Sequence, residues 1–120
     1  MVVQRESSVC RECSPEEIVV IIEKGRGSPG FALLDVRRPE EFASGCIAGA
    51  ENLDFSDSTF RTEIERRDRT HTYVVYCTRG VRAARALDLM RECGFLEVYS
   101  LRGGIAGWRE AGLPIEKPSG

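Results

Sequence analysis

The spacing of apolar positions changes along the chain, and each change marks an element. Between Ser14 and Lys24, Ile18, Ile21 and Ile22 fall at helical spacing. Ser14 suits the N-cap, Pro15 the first helical position, and Glu17 completes a capping box, so this segment is predicted to be a helix. "GRGSPG" (25–30) breaks the pattern, and "FALLDV" (31–36) is a short apolar run of the kind buried on both faces of a parallel sheet. Pro39 to Ser44 predicts a short helix, "AENLDF" (50–55) a brief strand, and Asp57 to Arg66 a moderately amphipathic helix. "TYVVY" (72–76), β-branched and aromatic throughout, is the strongest strand signal. A helix over 81–93 ends against Gly94, and "LEVYSL" (96–101) predicts another strand. A last helix runs from Ile105 to Ala111 and is stopped by Gly112 and Pro114.

Strands that alternate with helices define an α/β class with βαβ units and a mainly parallel sheet. In such sheets ligands bind beyond the carboxyl ends of the strands. Asp35 and Cys77 both fall at such ends, which predicts that they share one crevice.

Composition narrows the function. A chain of 120 residues fits one domain, expected over 1–120 with a core of about 8–115, and 42% apolar with 30% charged residues excludes disorder. A net charge of −2 provides no broad basic field, so neither a nucleic acid nor a membrane is the expected partner and any anion site must be local. No apolar run approaches the roughly 20 residues that span a bilayer. "MVVQRESSVCREC" carries charge too early for the apolar middle of a signal peptide, so the expected location is cytoplasmic. Five cysteines, an odd number in a chain of this kind, argue against a disulfide framework. No cofactor is expected.

Each thiol must then be judged by its surroundings. Cys77 ends the strongest strand and is followed by a helix start that carries Arg79, Arg82 and Arg85 and no acid from Thr78 to Leu87. Basic side chains near a helix N-terminus lose on the order of 0.3–1 kcal/mol each against the dipole. They call for a compensating anion, either a carboxylate such as Asp35 or Glu41 or a ligand. The turn into the helix aims backbone N–H groups inward, and Gly80 opens conformations closed to other residues. These features favour a thiolate without a histidine base. The plainer reading is a buried cysteine at a strand end followed by an exposed basic helix face. His71, the one histidine, lies ahead of the strand and reads as a solvated loop residue, while Trp108 and Cys93 read as core. Cys10 and Cys13 form a CxxC, but there is no second pair for zinc, and the pair runs into the N-cap so that both thiols precede the helix; an incidental or structural role is expected, with a redox or interchain role as the alternative.

Three blocks, "LLDVRRPEEFASGCIAGAENLDF" (33–55), "VVYCTRGVRAARAL" (74–87) and "LRGGIAGW" (101–108), together resemble the single-domain rhodaneses, a family of sulfurtransferases. The resemblance implies a parallel five-stranded sheet flanked by helices on both sides, with loop 77–82 cradling the active cysteine. It implies that Cys77 accepts a sulfane sulfur as a persulfide, from thiosulfate or a persulfide donor, and passes it to cyanide or a thiol. A protein persulfide is a further admissible donor. Within the loop, Thr78, Arg79, Gly80, Val81 and Arg82 are the expected substrate-binding residues, Arg82 being the one that closes the loop. Asp35 and Arg37 match the family's element beside the site, Arg37 with a weaker expected role in substrate binding. Cys46 stands where family members usually carry histidine, which admits either a packing substitution or a thiol that resolves a Cys77 persulfide.

Two other functions compete. One is a carrier or non-catalytic module for sulfur delivery or redox sensing. The other is a cysteine-dependent phosphatase. The related cell-cycle phosphatases place five residues between Cys and Arg, whereas Thr78, Arg79, Gly80 and Val81 make four here, a smaller cradle.

Overall fold

The computed structural model describes residues 8–118. Five strands, β1 (Val9–Cys13), β2 (Phe31–Asp35), β3 (Glu51–Asn52), β4 (Thr72–Tyr76) and β5 (Glu97–Leu101), form one sheet in the order β1-β5-β4-β2-β3. Every pairing is parallel. The helices are α1 (Pro15–Gly25), α2 (Pro39–Ser44), α3 (Phe60–Glu65), α4 (Val81–Glu92) and α5 (Gly104–Glu110).

Both faces of the sheet are covered, as the resemblance implied. On one face Ile18 and Ile22 of α1 and Ile105 and Trp108 of α5 pack against Leu33, Val74, Tyr76 and Leu101. On the other, Phe60 and Ile64 of α3 and Ala83, Leu87 and Met90 of α4 pack against Leu34, Val75 and Val98. The pleat sends successive residues to opposite layers, so Tyr76 belongs to the first layer and Cys77 to the second. Trp108 is core, and its indole N–H donates to the Pro114 carbonyl at 2.9 Å. The capping box of α1 forms as expected. The Glu17 N–H donates to Ser14 Oγ at 3.2 Å, and the Ser14 N–H to Glu17 Oε1 at 2.9 Å.

Three elements differ from expectation. β1 has no counterpart in the sequence reading, because it is an edge strand with only Cys13 fully covered, and its polar residues hide the alternation. It carries the CxxC, whose members stand three residues apart on a pleated strand and therefore face opposite layers. Cys10 packs against the α4 side and Cys13 is buried on the α1 side. Burial pushes both thiols above the ordinary cysteine value. β3 contracts from the expected 50–55 to two residues. Beyond it the Leu53 and Phe55 N–H groups still donate to Asp35 and Val36 carbonyls, but outside the regular ladder. Helix α3 loses its expected first turn, because the Asp57 carboxylate accepts from the Thr59 N–H at 2.8 Å and from its hydroxyl, holding a turn there instead. No described helix is long and apolar enough to cross a membrane.

Candidate active site

The chain leaves β4 at Tyr76 and enters α4 at Val81, so Cys77 to Arg82 must turn from extended to helical backbone within a few residues. Gly80 makes this possible as the N-cap residue of α4, with φ at 104°, where a side chain would be strained. The turn curls around the Cys77 sulfur. Sγ accepts from the Gly80 N–H at 3.1 Å and the Ala83 N–H at 3.4 Å, and the residue has no exposed surface. The N–H groups of Thr78, Arg79, Val81 and Arg82 have no acceptor among the described residues. All four residues line the cavity beside Cys77, at the positive end of the α4 dipole.

The floor of the loop is held from α5. The Ile105 N–H donates to the Cys77 carbonyl at 2.8 Å and the Ala106 N–H to the Thr78 carbonyl at 3.0 Å. This contact requires Gly104, which has φ at 62°, and a Cβ there would collide with the backbone of Thr78 and Cys77. The sequence reading did not single out Gly104. The signal was present as the Gly103–Gly104 pair opening a helix, where glycine permits both positive φ and close backbone approach.

The wall is formed by α2. Glu41 Oε1 accepts from Arg82 Nη1 at 2.8 Å and from the Arg38 N–H at 2.9 Å. Its Oε2 accepts from Arg82 Nη2 at 3.2 Å and from the Thr78 hydroxyl at 3.1 Å. Arg82 Nη2 also donates to Thr78 Oγ1. These bonds, led by that to the Arg82 guanidinium, hold the Glu41 carboxyl down at about 2, so it is ionised throughout the neutral range. Arg82 therefore closes the loop through Glu41. Arg79 is exposed and has no partner among the described residues, and Val81 is 65% exposed. Glu41, Cys77, Thr78, Arg79, Val81 and Arg82 line an open cavity of ≈ 310 Å³.

Asp35 and Arg37 do not line this cavity. Asp35 pairs in register with Tyr76, so its side chain faces the opposite layer from Cys77. It is wholly buried and accepts from the Arg37 N–H at 2.9 Å, from Nε at 3.0 and 3.1 Å, and from Nη2 at 2.8 Å. Arg37 Nη2 also donates to the Gly45 carbonyl at 2.6 Å, and the guanidinium lies over the Tyr76 ring at 5.8 Å. The Tyr76 hydroxyl accepts from the Ile47 N–H at 3.0 Å, and burial pushes its phenol well above the ordinary value. The turn after α2 is thus tied to the sheet on the Tyr76 side. Cys46 lies in that turn, buried, with its backbone paired both ways to Glu116. Burial, reinforced by Asp35 and Glu116, pushes its thiol up. His71 sits half-exposed at the amino end of β4, 3.4 Å from Asp68.

Residues 14–111 match the rhodanese-like domain, and the chain belongs to that family. It is 34% identical over 109 residues to the thiosulfate sulfurtransferase GlpE of Actinobacillus succinogenes, covering 91% of this chain and 93% of the relative. It is 38% identical over 88 residues to a sulfurtransferase of Allochromatium vinosum, covering 73% and 80%. It is 40% identical over 76 residues to YqhL of Bacillus subtilis, covering 63% of this chain and 59% of that uncharacterized relative. Among solved structures, a rhodanese-related protein of Thermoplasma volcanium superposes with a TM-score of 0.74 at 29% identity, covering 88% of this chain and 97% of that one. A Rhodopseudomonas palustris protein of unknown function, described as a possible tyrosine phosphatase, gives 0.70 at 25% identity over 88% and 84%. Family and relatives together support a function of the sulfurtransferase type, with a sulfur donor and a sulfur acceptor as substrates.

Proposed function

We propose that the protein is a sulfurtransferase in which Cys77 takes a sulfane sulfur from thiosulfate or a persulfide and passes it to cyanide or a thiol. The observation that carries this reading is the covered Cys77 sulfur, with two amide donors on it and four further loop amides that have no acceptor among the described residues. Donors fixed in place before reaction stabilise negative charge on sulfur without reorganising. The thiolate attacks the outer sulfur of the donor, forming the S–S bond of Cys77–S–S⁻ while the donor's own bond to that sulfur breaks. The electron pair leaves on sulfite or on a thiolate. In the second half the acceptor attacks the outer sulfur, and the Cys77 thiolate returns, so one transfer becomes two displacements. Neither half requires a general base. In this reading Thr78, Arg79, Gly80, Val81 and Arg82 receive the donor, while Asp35 and Arg37 act as positioning residues that hold the α2 turn.

Intact mass after incubation with thiosulfate or an organic persulfide tests the reading. A gain of ~32 Da, removed by cyanide and absent in Cys77→Ser, is the expected result. Phosphate ester hydrolysis without any such adduct would establish the phosphatase alternative. A persulfide that passes its sulfur once to a protein thiol, without repeated turnover to cyanide or a small thiol, would point to a carrier.

A further inference from the structure

The loop at Cys77 is rich in arginine, yet its charge is largely cancelled. The cavity lining contains two arginines and one glutamate, and Arg82 is bound through both terminal nitrogens to Glu41. The neighbouring cation, Arg37, is closed on Asp35 in the opposite layer. Arg79 is the one lining cation without a partner among the described residues, and a Cys77 thiolate offsets its single charge. The rim also presents Val81, the most exposed large apolar side chain among the described residues, a surface suited to the carbon body of an organic donor.

We infer that Glu41 is a specificity-determining residue: by neutralising Arg82 it sets the cradle for a monoanionic organic persulfide and against the dianion thiosulfate, with Val81 meeting the carbon body of the donor. The inference rests on the sulfurtransferase reading and narrows its donor. The step is R–S–S⁻ plus the Cys77 thiolate giving Cys77–S–S⁻ plus R–S⁻. The S–S bond of the donor breaks, a new one forms to Cys77, and the leaving thiolate takes a proton from water. Selection here works through a charge that is withheld as well as contacts that are made. The Arg38 N–H and the Thr78 hydroxyl also bind the Glu41 carboxylate, so its charge is fixed beside the loop.

The test compares sulfur loading of the full chain by cysteine persulfide and by thiosulfate, each as kcat/KM. Wild type should favour the persulfide. Glu41→Gln frees Arg82, and the ratio of persulfide to thiosulfate should fall on the order of tenfold, the added positive charge acting a few ångströms from the donor. The thiosulfate KM should also become more sensitive to salt. The double variant Glu41→Gln/Arg82→Gln removes the added charge and should restore the wild-type ratio, which lost packing alone would not do. Val81→Ser should raise KM for the persulfide by a larger factor than KM for thiosulfate. A persulfidated peptide of zero net side-chain charge, run in parallel, distinguishes a protein source from a small thiol by which loads faster. A wild-type preference for thiosulfate, or an equal fall with both donors in Glu41→Gln, would overturn the inference and leave the proposed function standing. No mass gain with either donor would instead remove the proposed function itself.

Discussion

Two arginine–carboxylate pairs stand at the carboxyl end of the sheet, and they differ in one respect. The Asp35 and Arg37 side chains are 0% and 5% exposed, whereas Glu41 and Arg82 are 32% and 31% exposed. The buried pair has all its oxygens occupied by one arginine and its backbone, and it joins β2 to the turn after α2. The half-exposed pair crosses from α2 to the Cys77 loop and borders the cavity. Identical chemistry thus gives a frame in one place and an adjustable wall in the other, because solvent screens the second pair and not the first.

The largest effect should come from breaking the frame. Arg37→Ala leaves a buried carboxylate without its partner and should lower unfolding stability by about 3–5 kcal/mol, read from the urea midpoint. A loss comparable to that of the half-exposed pair would erase the distinction. Next comes the joint between the loop and α5. Gly104→Ala places a Cβ against the Thr78 carbonyl at a positive φ, and should cost about 1–3 kcal/mol while slowing the gain of mass at Cys77. Arg82→Ala should change the thermal midpoint by the equivalent of less than about 1 kcal/mol, yet slow sulfur loading, separating stability from function in the exposed pair.

The smallest effect is in pH. Glu41 has a folded value of about 2, below its ordinary 4.5, so its contribution to stability is complete above 4.5 and declines as pH falls toward 2. Wild type should therefore be more stable than Glu41→Gln by a constant amount, within about 1 kcal/mol, from neutral pH down to roughly 5. The gap should close over the window below, in urea titrations at successive pH values.

Much of this arrangement was legible along the chain. The capping box of α1, the strand before Cys77 and the stop at Gly94 are local signals, and each formed where expected. The need for a carboxylate to answer the loop arginines was legible too, but not which one. Pairing depends on the layer each side chain enters, and Asp35 turns away from Cys77 while Glu41 reaches across from another helix. The crevice expected to hold Asp35 and Cys77 together splits into two sides of one sheet for that reason. β1 escaped because an edge strand needs little apolar surface, and the role of Gly104 escaped because it is defined by a contact with residues more than twenty positions earlier.

The complete cover over Cys77 has a further meaning for traffic through the site. An acceptor meets almost nothing of the unloaded protein's own sulfur. On the proposed function, loading would add an atom about 2 Å beyond Sγ. The reactive surface that a partner encounters is then the transferred atom rather than the residue that holds it. On that proposal the occupied form would offer an acceptor a sulfur atom where the empty form offers a covered one.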